Sequence, residues 1–266
     1  MRTAPWHYTT IHVARPRHAA TRCSEAGEPG LDRRYFVRGV LFVAWAYATS
    51  TSLSRVANFP PPSFDALARE IYGEAQSGSA PIRILEIGAG LKCSSVFGNR
   101  FRAESEVTAI DVERPDEQTL RAAQDLAARQ GYGFTFELGD ATRLQYADAS
   151  FDCVVCSLTL CSVPSVEAGV AEVHRVLKPG GRFGFVEHVR STPADGRPVL
   201  ALSQKLLDPA QQALAHNCHL QRDTSNMIVA AFGGDGRVIR LERRLNDEMW
   251  PVSQLAAGVV TKASFA

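Results

Sequence analysis

The chain has 266 residues, 45% of them hydrophobic and 21% charged, with a formal net charge of +1. That length fits one α/β domain with appendages and a substantial core, and the composition excludes a disordered or fibrous protein. The near-neutral balance gives no sign of nucleic acid as a partner, and six cysteines in a chain this long do not form a disulfide scaffold.

Charge is uneven along the chain. Residues 1–40 hold seven arginines against three acids, and residues 1–24 hold no acid at all. An acid-free, Arg/Ser/Thr/Ala-rich start reads as an organelle transit peptide. Arg33-Arg34, the apolar run Val40 to Ala48 and its ending Ala46-Tyr47-Ala48 read as a second, export-type signal, with a plastid (stroma or thylakoid lumen) as the expected compartment. The apolar run is too short to span a bilayer, which takes ~20 residues. Otherwise it packs on the domain or rests on a membrane surface. Residues 1–50 are therefore set apart as an extension.

Residues 51–80 read as a linker and a cap helix. Asn58-Phe59-Pro60-Pro61-Pro62 is stiff. Ser63 is a candidate N-cap for a helix through Tyr72 with Phe64, Leu67, Ala68 and Ile71 on one face. From residue 81 strands and helices alternate. Ile82 to Ile87 is a buried strand that ends in Gly88-Ala89-Gly90, where a helix can start. Glu106 to Ile110 is a second strand closed by Asp111, followed by a helix from Asp116 to Gln130. Phe134 to Leu138 is a third, leading into Gly139-Asp140-Ala141, and Phe151 to Ser157 is a fourth. An amphipathic helix from Val166 to Leu177 stops at Lys178-Pro179-Gly180-Gly181 and turns into a fifth strand, Arg182 to Val189. An insert, residues 191–222, precedes two β-rich runs, Arg237 to Leu245 and Leu255 to Ala263, expected to pair antiparallel at the sheet edge. The predicted fold is α/β: a doubly wound, mostly parallel seven-stranded sheet with an antiparallel edge strand.

In such a sheet, ligands bind beyond the carboxyl ends of the strands. Gly88 and Gly90 lie there after the first strand, Asp111 after the second, Asp140 and Ala141 after the third, Ser157 and Leu158 after the fourth. An acid closing the second strand is placed to accept hydrogen bonds from a ribose diol. Asp140 beside the Ala141 N–H can read an adenine edge. Together they point to a cofactor containing adenosine. Cys153 and Cys156 form a C-x-x-C, but a three-residue offset in a strand sends them to opposite faces, so they read as buried packing residues and no metal is assigned.

Leu85-Glu86-Ile87-Gly88-Ala89-Gly90, Val107 to Asp111, Asp148 to Asp152 and Leu177 to Gly181 together resemble the class I S-adenosylmethionine-dependent methyltransferases, a Rossmann-like fold. The resemblance implies S-adenosyl-L-methionine as cofactor and adds Glu86 and Ala89 to the residues that hold it. It departs at Lys92, where the motif's third glycine would stand. That lysine either crowds the cofactor or swings out to pair with its methionine carboxylate. A narrower resemblance, carried by Val154 to Val163, Glu187-His188-Val189, Leu207 to Ala210 and Asn217-Cys218, is to the methyltransferase-like seven family. Its members methylate the sulfur of small alkyl thiols, and animal members are tethered to membranes by an N-terminal apolar segment. This implies a small lipophilic acceptor and a site for it under the insert.

Alkyl thiols are partly ionised near neutrality, so positioning outweighs base catalysis. The candidate base is His188, read equally well as a histidine satisfied by backbone, with His216 and His219 behind it. Leu202, Leu206, Leu207, Ala210 and Leu214 make the insert either a lid or another core helix. A C- or O-methyltransferase of a quinone-like acceptor, or a non-catalytic binding protein of the same fold, are the alternatives.

Overall fold

The computed structural model describes residues 61–72, 81–90, 101, 103–233, 236–245 and 250–264. The expected targeting signals and Lys92 lie outside them. Arg83–Ile87 (β1) is short and aliphatic, and all but its first residue are buried, as its position in the middle of the sheet demands. It pairs in parallel with Glu106–Asp111 (β2) on one side and Phe151–Ser157 (β4) on the other. β2 pairs with Gly133–Leu138 (β3), and β4 with Leu177–His188 (β5). Arg237–Leu245 (β6) and Gln254–Thr261 (β7) complete seven strands in the order β3-β2-β1-β4-β5-β7-β6. β7 runs antiparallel to both neighbours, so the expected antiparallel pair is present. The outermost strand, β6, carries Arg237, Arg240, Arg243 and Arg244, charges that discourage edge-to-edge pairing.

Helices cover both faces. Against one, Val166–Val176 (helix α3) and Thr224–Phe232 (helix α5) pack Val166, Val170, Val173, Ile228 and Phe232 onto Leu85, Ile87, Val154 and Phe183. Against the other, Pro61–Tyr72 (helix α1) sets Leu67, Ile71 and Tyr72 on Ile84, Cys153, Val155 and Val259. Glu117–Gln130 (helix α2) adds Leu120 and Ala123 over Ala109. Cys153 and Cys156 do face opposite layers: the first donates to Ile71 O and the second to Glu187 Oε1.

Three features depart from the sequence reading in ways that matter for the site. Helix α1 starts at Pro61, so Ser63 is its third residue and not its cap; proline's fixed φ suits the first turn, where its missing N–H costs nothing. β5 begins at Leu177, and Lys178 to Gly181 form a bulge opposite Asp152. Asp152 closes that bulge by accepting from Lys178 Nζ and the Arg83 N–H, each at 2.8 Å. The third concerns the insert. Its helix, Pro198–Leu214 (helix α4), buries Leu200, Gln204 and Gln211. Val199, Leu202, Leu206 and Leu214 are exposed, so the apolar stripe does not face a core. The buried face is anchored by polarity: Gln204 Oε1 accepts from the Ser191 N–H at 2.6 Å, and its Nε2 donates to Val189 O and Pro251 O. Among the described residues no helix is long and apolar enough to cross a membrane.

A 3₁₀ turn, Pro193–Asp195, ties the insert to β6 through Arg243, whose Nη2 lies 2.9 Å from Asp195 Oδ2. Burial alone would raise the Asp195 carboxyl, but Arg243 and the N–H and hydroxyl of Thr192 outweigh it and hold the pKa at about 2. The folded value lies below the ~3.9 of an unfolded chain. The resulting stabilisation is therefore present above about pH 4 and lost as pH falls towards about 2. In urea unfolding, Asp195→Asn is expected to destabilise the protein at neutral pH, by an amount that shrinks on acidification through that window.

Candidate active site

The carboxyl ends of β1 to β4 meet at the turn Gly88-Ala89-Gly90. Both glycines have φ of +69°, which any other residue adopts at a cost. They differ in surroundings. A Cβ on Gly88 would run into the Thr159 side chain, whereas a Cβ on Gly90 would point into open space. The N–H groups of Gly88 and Ala89 donate to Ile110 O at 2.8 and 3.1 Å, which fixes the turn beside the end of β2. The Gly90 N–H donates to Asp111 Oδ2 at 2.8 Å, and Asp111 Oδ1 accepts from the Glu113 N–H at 3.1 Å. Asp111 is thus aimed at the glycine turn, with lone pairs left for two hydroxyls.

The end of β3 is fastened to the same place by the Gly139 N–H on Asp111 O, 2.9 Å. Asp140 Oδ1 accepts from both the N–H and hydroxyl of Thr142, each at 2.7 Å. Its side chain is exposed, and Ala141 beside it is buried. After β4, Ser157 is half-buried and Leu158 takes a left-handed φ of +56°, its N–H on Val186 O at 2.8 Å. Of the residues expected to hold a cofactor, only Glu86 sits apart. It is buried on the face that carries Tyr72 and Tyr132. Burial first, then the Glu86 charge, pushes the Tyr132 phenol up to about 12.

The glycines make a paired prediction. Gly88→Ala adds left-handed strain, about 1–2 kcal/mol, to overpacking against Thr159, about 1–3 kcal/mol. It is expected to lower the unfolding free energy by roughly 2–5 kcal/mol. Gly90→Ala carries the strain alone, so it is expected to fold and to lose cofactor binding, which thermal unfolding and calorimetry separate.

A second constellation stands beside the first. The Glu187 carboxylate, fully buried, accepts from the N–H groups of Thr159 (3.0 Å), Leu160 (3.1 Å) and Cys161 (3.0 Å). It fixes the loop that runs under Gly88. Next to it His188 ends β5, with Nδ1 3.5 Å from Cys218 Sγ and 3.9 Å from Cys161 Sγ. The two sulfurs are 3.6 Å apart. His188 Nε2 is buried and has no hydrogen-bond partner among the described residues. In the thiol pair, the Cys161 hydrogen bond and then His188 hold the Cys218 thiol well below the ordinary range, against the pull of burial. Cys161 is pushed up in turn. Burial likewise raises Cys153, to about 12, and Cys156, so neither is a nucleophile near neutrality. His219 is half-buried, and burial and Arg222 depress its pKa; His216 is exposed.

Residues 85–185 match the family model of a methyltransferase domain. Human thiol S-methyltransferase TMT1B is 31% identical over 199 residues, which cover 73% of this chain and 78% of that protein. The chain belongs to the class I S-adenosylmethionine-dependent methyltransferases. Rat thiol S-methyltransferase TMT1B is 34% identical over 160 residues, 59% of this chain and 63% of the relative, so the match spans less than two thirds of that protein. The demethylmenaquinone methyltransferase of Beutenbergia cavernae is 34% identical over 157 residues, 58% and 60% of the two chains. Among solved structures, a SAM-dependent methyltransferase from Methanosarcina mazei aligns with a TM-score of 0.51 at 21% identity, over 72% and 97% of the chains. A Burkholderia thailandensis 1,6-didemethyltoxoflavin-N1-methyltransferase solved with S-adenosylhomocysteine aligns at 0.50 and 16%, over 91% and 94%. At these identities the structures speak for the shared fold.

The sheet edge of this methyltransferase fits S-adenosylmethionine. Gly90 leaves open space where a side chain would stand, and Asp111 is oriented towards it. Val112, next in sequence, is 71% exposed, an apolar side chain available to a purine face. Val112 was not picked from sequence, whereas Thr159, Cys161, Glu187 and Cys218 fall in the stretches that carry the narrower resemblance but were given no role in the site. An acid inside the apolar run Phe185 to Val189 was a further hint for Glu187; the thiols are separated from His188 by 27 and 30 residues, so no local pattern joins them to it.

Proposed function

We propose that this protein transfers the methyl group of S-adenosylmethionine to the sulfur of a small lipophilic thiol. The observation that carries the reading is the clasp between the Gly90 N–H and Asp111, with the buried sulfur-and-imidazole cluster one strand away. When bound, the cofactor supplies an activated methyl on a sulfonium. The chain's own residues do the rest. Asp111 would take the ribose hydroxyls, Asp140 and the Ala141 N–H the adenine edge, and the glycine turn would admit the methionine part. Fixing nucleophile and methyl in line is worth on the order of 7–11 kcal/mol. An alkyl thiol of pKa ~8.5 needs only about 2 kcal/mol to ionise at neutral pH. Positioning by the loop that Glu187 holds is therefore the larger contribution, and His188 stands on the acceptor side.

The exposed Val199, Leu202 and Leu206 on helix α4 support an apolar acceptor or a membrane surface nearby, with the insert as its cover. The similarity to demethylmenaquinone methyltransferases favours a second reading, a quinol-like acceptor. Product analysis with an alkyl thiol against a demethylated quinol, each with S-adenosylmethionine, tests them: S-methyl thioether is expected, and methylated quinol alone would replace the thiol reading. The plastid assignment rests on the acid-free first 24 residues, and a full-length fluorescent fusion checks it.

A further inference from the structure

The Cys161–His188–Cys218 cluster has the dimensions of a metal site. Zinc bonds to thiolate at about 2.3 Å and to imidazole at about 2.0–2.1 Å. In a tetrahedron those lengths place two sulfurs ~3.8 Å apart and sulfur and nitrogen ~3.6 Å apart. The observed edges are 3.6 Å between sulfurs, and 3.5 and 3.9 Å to Nδ1. The triangle therefore needs adjustments of only a few tenths of an ångström to close on an ion. All three residues are buried, at 1%, 5% and 9% exposure for Cys161, Cys218 and His188.

Each ligand is also held independently of any metal. Cys161 is fixed by its N–H on Glu187 Oε2, and its carbonyl accepts from the His219 N–H at 2.9 Å. His188 ends a central strand. Cys218 follows two left-handed residues, His216 and Asn217, and its N–H bonds Ala215 O at 2.9 Å. Asn217 Nδ2 bonds Ser162 O at 2.9 Å, and Arg222 Nη1 reaches the carbonyls of Leu160, Cys161 and Val163. Such support sets ligands before the ion arrives. The nearby Arg222 guanidinium offsets the negative charge that thiolates bring.

We propose that Cys161, Cys218 and His188 Nδ1 form a three-ligand zinc site whose fourth position takes the sulfur of the acceptor thiol. Two cysteines and a histidine suit a borderline-soft ion, and three protein ligands leave one tetrahedral position open. A thiol bound there would give its proton to solvent and keep a sulfur lone pair for the new S–C bond, which forms as the methyl–sulfonium bond breaks and neutral S-adenosylhomocysteine leaves. The site lies at the carboxyl edge of β4 and β5, where the class of acceptor proposed above would be presented. The role of the fourth position rests on that thiol reading; metal binding does not.

The test uses the full chain, reduced with a phosphine and freed of chelator. Elemental analysis is expected to find one zinc per chain. Replacement by cobalt(II) is expected to give the visible bands of a tetrahedral ion and a sulfur-to-cobalt charge-transfer band. Cys161→Ser and Cys218→Ser should abolish stoichiometric cobalt binding while circular dichroism shows a folded chain, and removing Cys23 and Cys93 should leave it intact. Adding an alkyl thiol, without S-adenosylmethionine, should shift the cobalt bands. No metal in the reduced wild-type chain, or a Cys161–Cys218 disulfide in its place, overturns the site. Bound cobalt indifferent to thiol overturns the acceptor role, and does so whether or not thiol methylation is found.

Discussion

Replacing Glu187 by alanine is expected to cost about 3–5 kcal/mol of unfolding free energy, because three buried N–H groups lose their acceptor at once and each such loss costs about 1–3 kcal/mol. Partial entry of water keeps the total below the simple sum. Burial pushes the Glu187 carboxyl up, and the three N–H groups with the Cys156 thiol pull against it. Glu187→Gln keeps one oxygen but turns an amide N–H₂ towards one of the donors, so an intermediate loss is expected. Urea unfolding measures both. The loop from Thr159 to Cys161 also supports Gly88 and carries one sulfur of the buried cluster. Any folded Glu187 variant should therefore bind cofactor more weakly. A loss under ~1 kcal/mol for the alanine variant would mean that the loop holds its shape without the carboxylate.

The second large effect is expected at Asp111. Alanine there removes the acceptor for the Gly90 N–H and the oxygens offered to the ribose. Hydrogen bonds to a charged group are worth about 1.5–3 kcal/mol, which corresponds to roughly 10- to 150-fold weaker binding of S-adenosylmethionine. Asp111→Asn retains an oxygen for Gly90 and should fall between. Calorimetric titration on folded variants gives the answer, and unchanged affinity would displace the ribose from this acid. Because Asp111 is only half-buried, the alanine variant is expected to unfold within about 1 kcal/mol of the parent. Binding and stability are thereby separable at this residue, as they are not at Glu187.

Much of the fold was legible because its signals are local. The aliphatic run ending at Gly88 to Gly90 and the acid closing β2 each declare a strand end by residue type alone, whereas Lys178 to Gly181, read the same way, form a bulge inside β5. The antiparallel pairing of β6 with β7 was legible from two β-rich runs with a short connection, and that β7 also lies antiparallel against β5 was not. Helix α4 was not, for a physical reason. Its sequence shows an apolar stripe, and periodicity gives the stripe without the side of the helix that meets the sheet. Here Gln204 and Gln211 are buried and Leu202 and Leu206 are outside, since Gln204's amide satisfies three backbone groups on the covered face.

By itself the sequence determined the alternation of elements, the glycine turn and the acids that follow β2 and β3, all consequences of backbone preferences read over a few neighbouring residues. Only the tertiary structure decided that Cys161, His188 and Cys218 converge, and that Glu187 holds three N–H groups from a loop 26 to 28 residues before it. Those groups meet because β4 and β5 pair in parallel, which brings their carboxyl ends side by side. The chain returning from helix α4 then closes over both ends, its His219 N–H on Cys161 O. Distances of that kind are set by packing between elements, and no local pattern of residues encodes them.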